Sequence, residues 1–308
     1  MTMKLTHIRD VLAVAECGSM RAAARSLGVA QPALTRSIQE IERELGAALF
    51  ERHARGVQTT EAGHAFLRRA QSVQSELRRA KEEIEQIQGG VAGQVAMAVS
   101  TASTIAMMPA ALAAFRRRYP QAVLKVTESL FAGIETQLAE GNIDFYVGPF
   151  DASLSSSSFH CEKLFAYRRL ILARTDHPLA QATCLPDLRD AHWVRPLTLL
   201  PNRSEIDFDE LFERETGSAP NIVMYAHSAL MTLLTVANSD LLTILPQQWL
   251  EVPLTSERLV SIDATRDVPI LSMCIVRRHA MPLTPMAESL CDEMRRAGTH
   301  YAHRIERV

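Results

Sequence analysis

What this 308-residue sequence lacks narrows it first. It has no run of eighteen uncharged apolar residues, so no membrane-spanning helix is expected. Met1 to Asp10 hold no apolar core followed by a small-residue cleavage site, so no secretory signal is expected and the chain reads as cytoplasmic. Cysteine is sparse: Cys17, Cys161, Cys184, Cys274 and Cys291 are far apart, odd in number and never in C-x-x-C spacing. They read as reduced, mostly buried thiols, with a redox-sensing pair left open. G-x-S-x-G, a phosphate-cradling glycine loop and H-E-x-x-H are all missing, so no catalytic site, cofactor or metal is expected. His300 and His303 have helical spacing but sit in a polar tail. A large net charge is missing too. At −2 the molecule as a whole has no attraction for a polyanion, and any such binding needs a local arrangement of charge.

What is present is an ordinary globular composition, 47% hydrophobic and 22% charged, on a chain long enough for two or three domains. Residues 5–18 predict a helix with Ile8, Leu12 and Ala15 on one face and Val11 beside them. Gly18 suits the position past its end, and Ser19 suits an N-cap for a second helix over 20–27. Gly28 breaks that helix. Gln31-Pro32 then opens a third, because proline's missing N–H is harmless in a first turn. Leu34, Ile38, Ile41 and Leu45 carry it to Gly46. Two close helices joined through Gly28 make a helix-turn-helix pattern, in which the small Ala23 and Ala24 let the second helix approach the third. Residues 49–52 and 57–59 read as short strands around the basic turn His53-Ala54-Arg55-Gly56, which suits a wing. An ordinary corner between two helices is the blander alternative.

Thr60 can cap a long helix, stopped near Gln88 by Gly89-Gly90. Within it Phe66, Ala70, Val73, Leu77, Ala80, Ile84 and Ile87 alternate at spacings of four and three, with charges between. Such a helix, of about 29 residues, is roughly 43 Å long. Its stripe is best covered by a second copy of itself, so dimerisation is expected, with packing on the chain's own body as the alternative. From Gly93 the period changes. Strands at 95–99, 123–126 and 143–147 alternate with helices at 104–118 and 133–140, an order that predicts a parallel sheet. A second block begins near Lys163, with strands at 169–173, 221–225 and 241–245 and helices at 207–216, 228–237 and 246–250. A strand at 270–276 and a helix at 285–296 close the chain. No internal repeat is visible.

Residues 18–52, G-S-M-R-A-A-A-R-S-L-G-V-A-Q-P-A-L-T-R-S-I-Q-E-I-E-R-E-L-G-A-A-L-F-E-R, and 55–63, R-G-V-Q-T-T-E-A-G, closely resemble the winged helix-turn-helix of bacterial LysR-type transcriptional regulators. Ala30 departs from the serine usual before the recognition helix, and Thr35 stands where serine is usual. D-H-P-L-A at 176–180 and I-V-R-R-H-A-M-P-L-T-P at 275–285 extend the resemblance along the chain. It implies an α/β protein with a mainly helical winged helix-turn-helix domain in 1–60 and a dimerisation linker helix in 61–90. It also implies a two-lobed effector domain like the periplasmic binding proteins, with lobe one in 91–162 and 268–308 and lobe two in 163–267. The C-terminal portion is similar to regulators of aromatic and sulfonated-aromatic breakdown. The partners so implied are double-stranded promoter DNA, a small-molecule effector and further copies of the chain, as a dimer and then a homotetramer. RNA polymerase is an open further partner, and no membrane is involved.

The resemblance places helix three in the major groove, with Gln31, Pro32, Thr35 and Arg36 at the DNA. Their chemistry fits: Gln31 suits adenine, Pro32 and Ala33 suit thymine methyls, and Arg36 suits guanine or a phosphate. Arg55, in the wing, suits a narrow minor groove, and Arg52 and His53 suit the backbone. Residues 1–60 carry eight Lys and Arg against six Asp and Glu. Glu40, Glu42 and Glu44 fall late in helix three, away from its reading end.

In open α/β sheets ligands bind at the carboxyl ends of strands. After strand 95–99 come Ser100, Thr101, Ser103 and Thr104 at a helix start, where free N–H groups and hydroxyls suit a carboxylate or sulfonate. Plain capping explains one of these residues. Pro149 and Phe150 follow the third strand of lobe one. Asn202, Arg203, His227, Ser228 and Pro246 are the candidates from lobe two. Arg203 fits an anion or simply the surface, and His227 fits a ligand contact or a structural hydrogen bond. The expected effector is small and anionic, with an aromatic body as one option. Three other readings stand beside this one: an enzyme, a binding protein whose N-terminal helices only dimerise, and a regulator controlled by a partner protein or by oxidation.

Overall fold

A computed structural model describes residues 3–53, 56–151, 158–196, 203–226, 228–265, 267–268, 270–279 and 281–305, without the side chains of 52, 203–207, 254 and 255. The chain divides into two compact units, one of 1–89 with 139–142 and one of 90–138 with 143–308.

The first unit holds α1 (Leu5–Cys17), α2 (Met20–Leu27), α3 (Gln31–Leu45), β1 (Phe50–His53), β2 (Gly56–Thr59) and α4 (Glu61–Ile87). The first three helices stop at Gly18, Gly28 and Gly46, each in the left-handed region. Ser19 accepts the Ala22 N–H to open α2. Thr60 accepts the Gly63 N–H to open α4 and donates to the Ala48 carbonyl. The core gathers Val11, Val14, Ala23, Ala24, Leu34, Ile38, Ile41 and Leu49. The buried face of α1 is therefore Ile8, Val11 and Val14. Leu12 and Ala15, expected on it, are only half-buried.

The wing is tied to the helices at both ends. Glu42, late in α3, accepts the N–H groups of Leu49 and Phe50 at 2.8 and 3.2 Å. The Val57 N–H donates to the Gly18 carbonyl at 2.9 Å. Gly56 passes so close to that carbonyl that a Cβ there would stand 2.6 Å from it. Strands β1 and β2 pair antiparallel from Phe50 opposite Thr59 to His53 opposite Gly56. Along α4, Val73, Leu77, Ile84 and Ile87 of the heptad stripe are exposed.

The second unit begins with β3 (Ala92–Val99), α5 (Thr101–Ala106), α6 (Met108–Arg118), β4 (Gln121–Glu128), α7 (Phe131–Ala139), β5 (Phe145–Pro149) and β6 (Phe159–Tyr167). It continues with β7 (Arg169–Arg174), β8 (His192–Pro196), α8 (Arg203–Thr216), β9 (Asn221–Ala226), α9 (Ala229–Ala237) and β10 (Leu241–Pro246). It closes with α10 (Pro253–Ser256), β11 (Leu259–Ile262), β12 (Leu271–Arg278) and α11 (Pro285–Ile305). Lobe one is a sheet of order β4-β3-β5-β12-β6, and lobe two is a sheet of order β11-β7-β10-β8-β9. As expected from the alternating order, β3 lies parallel to both β4 and β5. The returning β12 is antiparallel to β5 and β6. Helices cover both faces, which is why Val95 to Val99 are buried without alternation.

Five elements depart from the sequence reading. The single helix expected over 104–118 is two, because Met107 leaves helical geometry and Pro109 has no N–H with which to continue the ladder. Strand β6 was not expected, since its polar His160, Glu162 and Lys163 mask the pattern. It pairs with β12 from Phe159 to Tyr167, across the expected lobe boundary at 162/163, so the chain leaves the first sheet only at Arg168. Strands β8 and β11 are too short to show a period. Helix α11 runs to Ile305, which puts His300 and His303 on an exposed helical face rather than in a tail. Among the described residues no three metal-ligating side chains cluster, and no helix is long and apolar enough to cross a membrane. All five cysteines are free. Cys274 and Cys291 are buried, but Cys17 and Cys161 are half-buried and Cys184 is exposed, so burial is less general than expected.

Candidate functional site

The first two turns of α3 face solvent. Leu34, Ile38 and Ile41 take the inner face, which leaves Gln31, Pro32 and Arg36 exposed and Thr35 half-exposed. With Gln39, these four line an open hollow of about 490 Å³. Gln39 was not singled out in the sequence; its i+4 spacing from Thr35 was the available signal. Ala30 provides no side-chain cap, and the helix opens on Pro32. Among the described residues Arg36 has no ion-pair partner.

The acids of α3 are held elsewhere. Glu42 carries the wing, Glu44 accepts from the Met3 N–H, and Glu40 lies 3.6 Å from His7. Arg52 lies on β1, but its side chain is outside the described residues, as is Arg55 altogether.

At the start of α5 the hydroxyls are engaged locally. Ser100 caps the helix by accepting the Ser103 N–H, and Ser103 donates to the Val147 carbonyl at 2.7 Å. Both serines are buried. Thr104 donates back to the Ser100 carbonyl at 3.0 Å. Thr101 points to the end of β4 and donates to Glu128 at 2.6 Å. Glu128 escaped the sequence reading because β4 was expected to stop at Val126.

Pro149 ends β5 opposite Met273. Phe150 stacks edge-on against Phe131, with ring centres 4.6 Å apart. On lobe two, Ser228 caps α9 by accepting the Met231 N–H and is exposed, and Pro246 ends β10. Asn202 and His227 lie outside the described residues, as does the side chain of Arg203, whose backbone opens α8.

The lobes meet through residues 247–251. The Gln247 N–H donates to the Arg168 carbonyl at 3.0 Å. Glu251 accepts from the Tyr301 hydroxyl and the Arg304 guanidinium of α11. Burial, reinforced by Glu251, holds the Tyr301 phenol well above its usual range. Gln248, in the same segment beside α5, is fully buried, and neither amide atom has a partner among the described residues. The D-H-P-L turn is structural: His177 Nδ1 accepts the Leu179 N–H at 3.0 Å, and Nε2 lies 3.2 Å from the Asp240 carbonyl.

Residues 5–64 match the bacterial regulatory helix-turn-helix proteins of the lysR family, and residues 88–299 match the LysR substrate binding domain. The chain belongs to the LysR family. This LysR-type regulator is 28% identical over 247 residues to the HTH-type transcriptional regulator GbpR of Azospirillum brasilense, covering 79% of this chain and 71% of that one. It is 26% identical over 273 residues to TdcA of Escherichia coli (strain K12), covering 89% and 86% of the two chains. The relatives are named as regulators, not enzymes. Full-length CbnR, solved with its target DNA, shares the fold with a TM-score of 0.68 at 23% identity, over 96% of this chain and 100% of that one. The LysR-type architecture accounts for the two sheets linked through Arg168, with α11 returning to lobe one.

Proposed function

We propose that this LysR-type regulator reads promoter DNA with Gln31, Pro32, Thr35 and Arg36, with Arg52 and Arg55 at the backbone and minor groove. A small effector, bound between the lobes, changes how the assembled protein bends that DNA. The observation that carries the DNA half is the hollow on α3. Four side chains able to donate to bases, pack on thymine methyls or pair with phosphate stand together on one exposed face, with no acid among them. The uncapped helix start adds N–H groups suited to a phosphate.

Self-association completes the reading. The exposed stripe on α4 suits a paired helix, and this joins two reading heads. Exposed Val123 and Val126 on edge strand β4, with Val223 and Tyr225 on edge strand β9, suit contacts that pair the dimers into a tetramer. The effector acts from the cytoplasm at the start of α5 (Ser100, Thr101, Ser103, Thr104), at Pro149 and Phe150, and at Asn202, Arg203, His227, Ser228 and Pro246 opposite. The amide of Gln248 beside α5, which has no partner among the described residues, supports a polar site at this junction. To switch occupancy the effector must bind one arrangement better than the other. RNA polymerase is the partner through which a relaxed bend would reach transcription.

The test is a titration of full-length protein against its own upstream intergenic DNA at two salt concentrations, with and without small ligands. Site-specific binding that Gln31→Ala and Arg36→Ala weaken, with a footprint that a ligand alters, supports both halves. Absence of specific binding at either salt overturns the reading.

A further inference from the structure

One exposed carboxylate, Glu128, stands at the strand ends of lobe one where an anion site was expected. Glu128 ends β4 in register with Val99, the last residue of β3 before the Ser100 turn. The Ser129 N–H donates to the Val99 carbonyl at 2.9 Å and so holds the two strand ends together. Glu128 is exposed, and its Oε1 accepts a hydrogen bond from the Thr101 hydroxyl at 2.6 Å. The remaining hydroxyls turn inward: Ser103 to the Ser100 and Val147 carbonyls, Thr104 to the Ser100 carbonyl, and Ser100 to Ser103. Among the described residues Glu128 has no cationic partner. The strand ends therefore offer a ligand one carboxylate with acceptor capacity to spare, rather than a set of free hydroxyl donors. A ligand carboxylate or sulfonate at this position stands beside a like charge. An ammonium or hydroxyl group donates to it.

We propose that Glu128 selects an effector that presents hydrogen-bond donors, ammonium or hydroxyl, to lobe one, and turns away carboxylates and sulfonates. This rests on the reading of the strand-end mouth as the effector site, and it replaces the anionic effector that the sequence suggested. Thr101 is the positioning residue: its hydroxyl orients the carboxylate and leaves Oε2 for the ligand.

The test uses the full-length chain and four probes on one ring: benzylamine, benzyl alcohol, benzoate and benzenesulfonate. Binding is read by saturation-transfer NMR for the wild type, Glu128→Gln and Thr101→Val, with melting curves to confirm that each variant folds. The wild type should favour the amine or the alcohol over both anions by about tenfold, and Glu128→Gln should erase most of that gap. Preference for the amine alone assigns a cationic effector, and preference for the alcohol alone assigns a neutral one. A wild type that favours either anion, shows no ranking, or ranks as Glu128→Gln does overturns the proposal. Thr101→Val separates this failure from a deeper one. If Thr101→Val alters probe binding while Glu128→Gln leaves the ranking unchanged, only the role of Glu128 falls. If neither substitution alters the binding of any probe, the mouth is not the effector site.

Discussion

Ser37 Oγ donates to Asp10 Oδ2 at 2.6 Å and so joins α3 to α1 inside the reading head. Asp10 is buried and takes its second bond from Arg9. Ser37→Ala leaves a buried carboxylate short of a donor, which should destabilise the head by about 1–3 kcal/mol. Urea unfolding followed by a probe in the head checks this. An unchanged midpoint would mean that Arg9 alone satisfies Asp10.

The reading face makes separable predictions. Gln31→Ala should weaken binding by about 1–3 kcal/mol at an operator carrying the preferred base and much less at one lacking it. Arg36→Ala should act uniformly across sequences, with a salt slope smaller by about one, if the guanidinium meets phosphate. A sequence-dependent loss with an unchanged slope would instead place Arg36 on a base. Titrations over a salt series with single-base operator variants tell these apart.

Gly63 marks the point where the wing and α4 meet. A Cβ there would stand 2.1 Å from the Leu49 carbonyl oxygen and 2.7 Å from Thr59 Cγ2. Backbone cannot yield as a side-chain end can, so Gly63→Ala should cost about 2 kcal/mol or more and shift the wing. A wild-type melting curve with intact operator binding would contradict this.

Lobe one carries a pH dependence at its edge. The Arg295 guanidinium, hydrogen-bonded to Glu162 at 2.6 and 2.9 Å, holds that carboxyl below its usual value of 4.5. A carboxyl depressed in the folded state contributes stability above its unfolded pKa, and that contribution is lost as pH falls through the folded value. Wild type should therefore lose stability below about pH 4.5 more steeply than Glu162→Gln. Parallel acid-unfolding curves would remove Glu162 from the account.

The exposed stripe on α4 predicts assembly. Leu77→Asp with Ile84→Asp puts two charges into the proposed paired-helix seam and should yield a smaller species in sedimentation, with weakened operator binding. An unchanged sedimentation coefficient would assign the stripe to some other contact.

Much of the reading head was legible in advance because its signals are local. Gly18, Ser19, Gly28, Gly46 and Thr60 end or open helices through bonds to residues one to four positions away. The exposure of Gln31, Pro32 and Arg36 follows from the helix start at Pro32 and from the inward spacing of Leu34, Ile38 and Ile41. Even there Asp10 was missed, since its partner Ser37 lies 27 positions away. The lobe boundary was misplaced for a similar reason: β6 is a strand because β12 pairs with it, not because its own residues alternate.

The sequence by itself determined the winged helix-turn-helix, the long α4 with its stripe, and the parallel strands β3, β4 and β5, because turn chemistry and periodicity act over a few residues. Only the tertiary structure decided which way the hydroxyls of Ser100, Thr101, Ser103 and Thr104 point, and that Glu128 joins them. Their partners, Val147 and Glu128, come from other strands, and strand pairing is settled by packing between segments far apart in the chain.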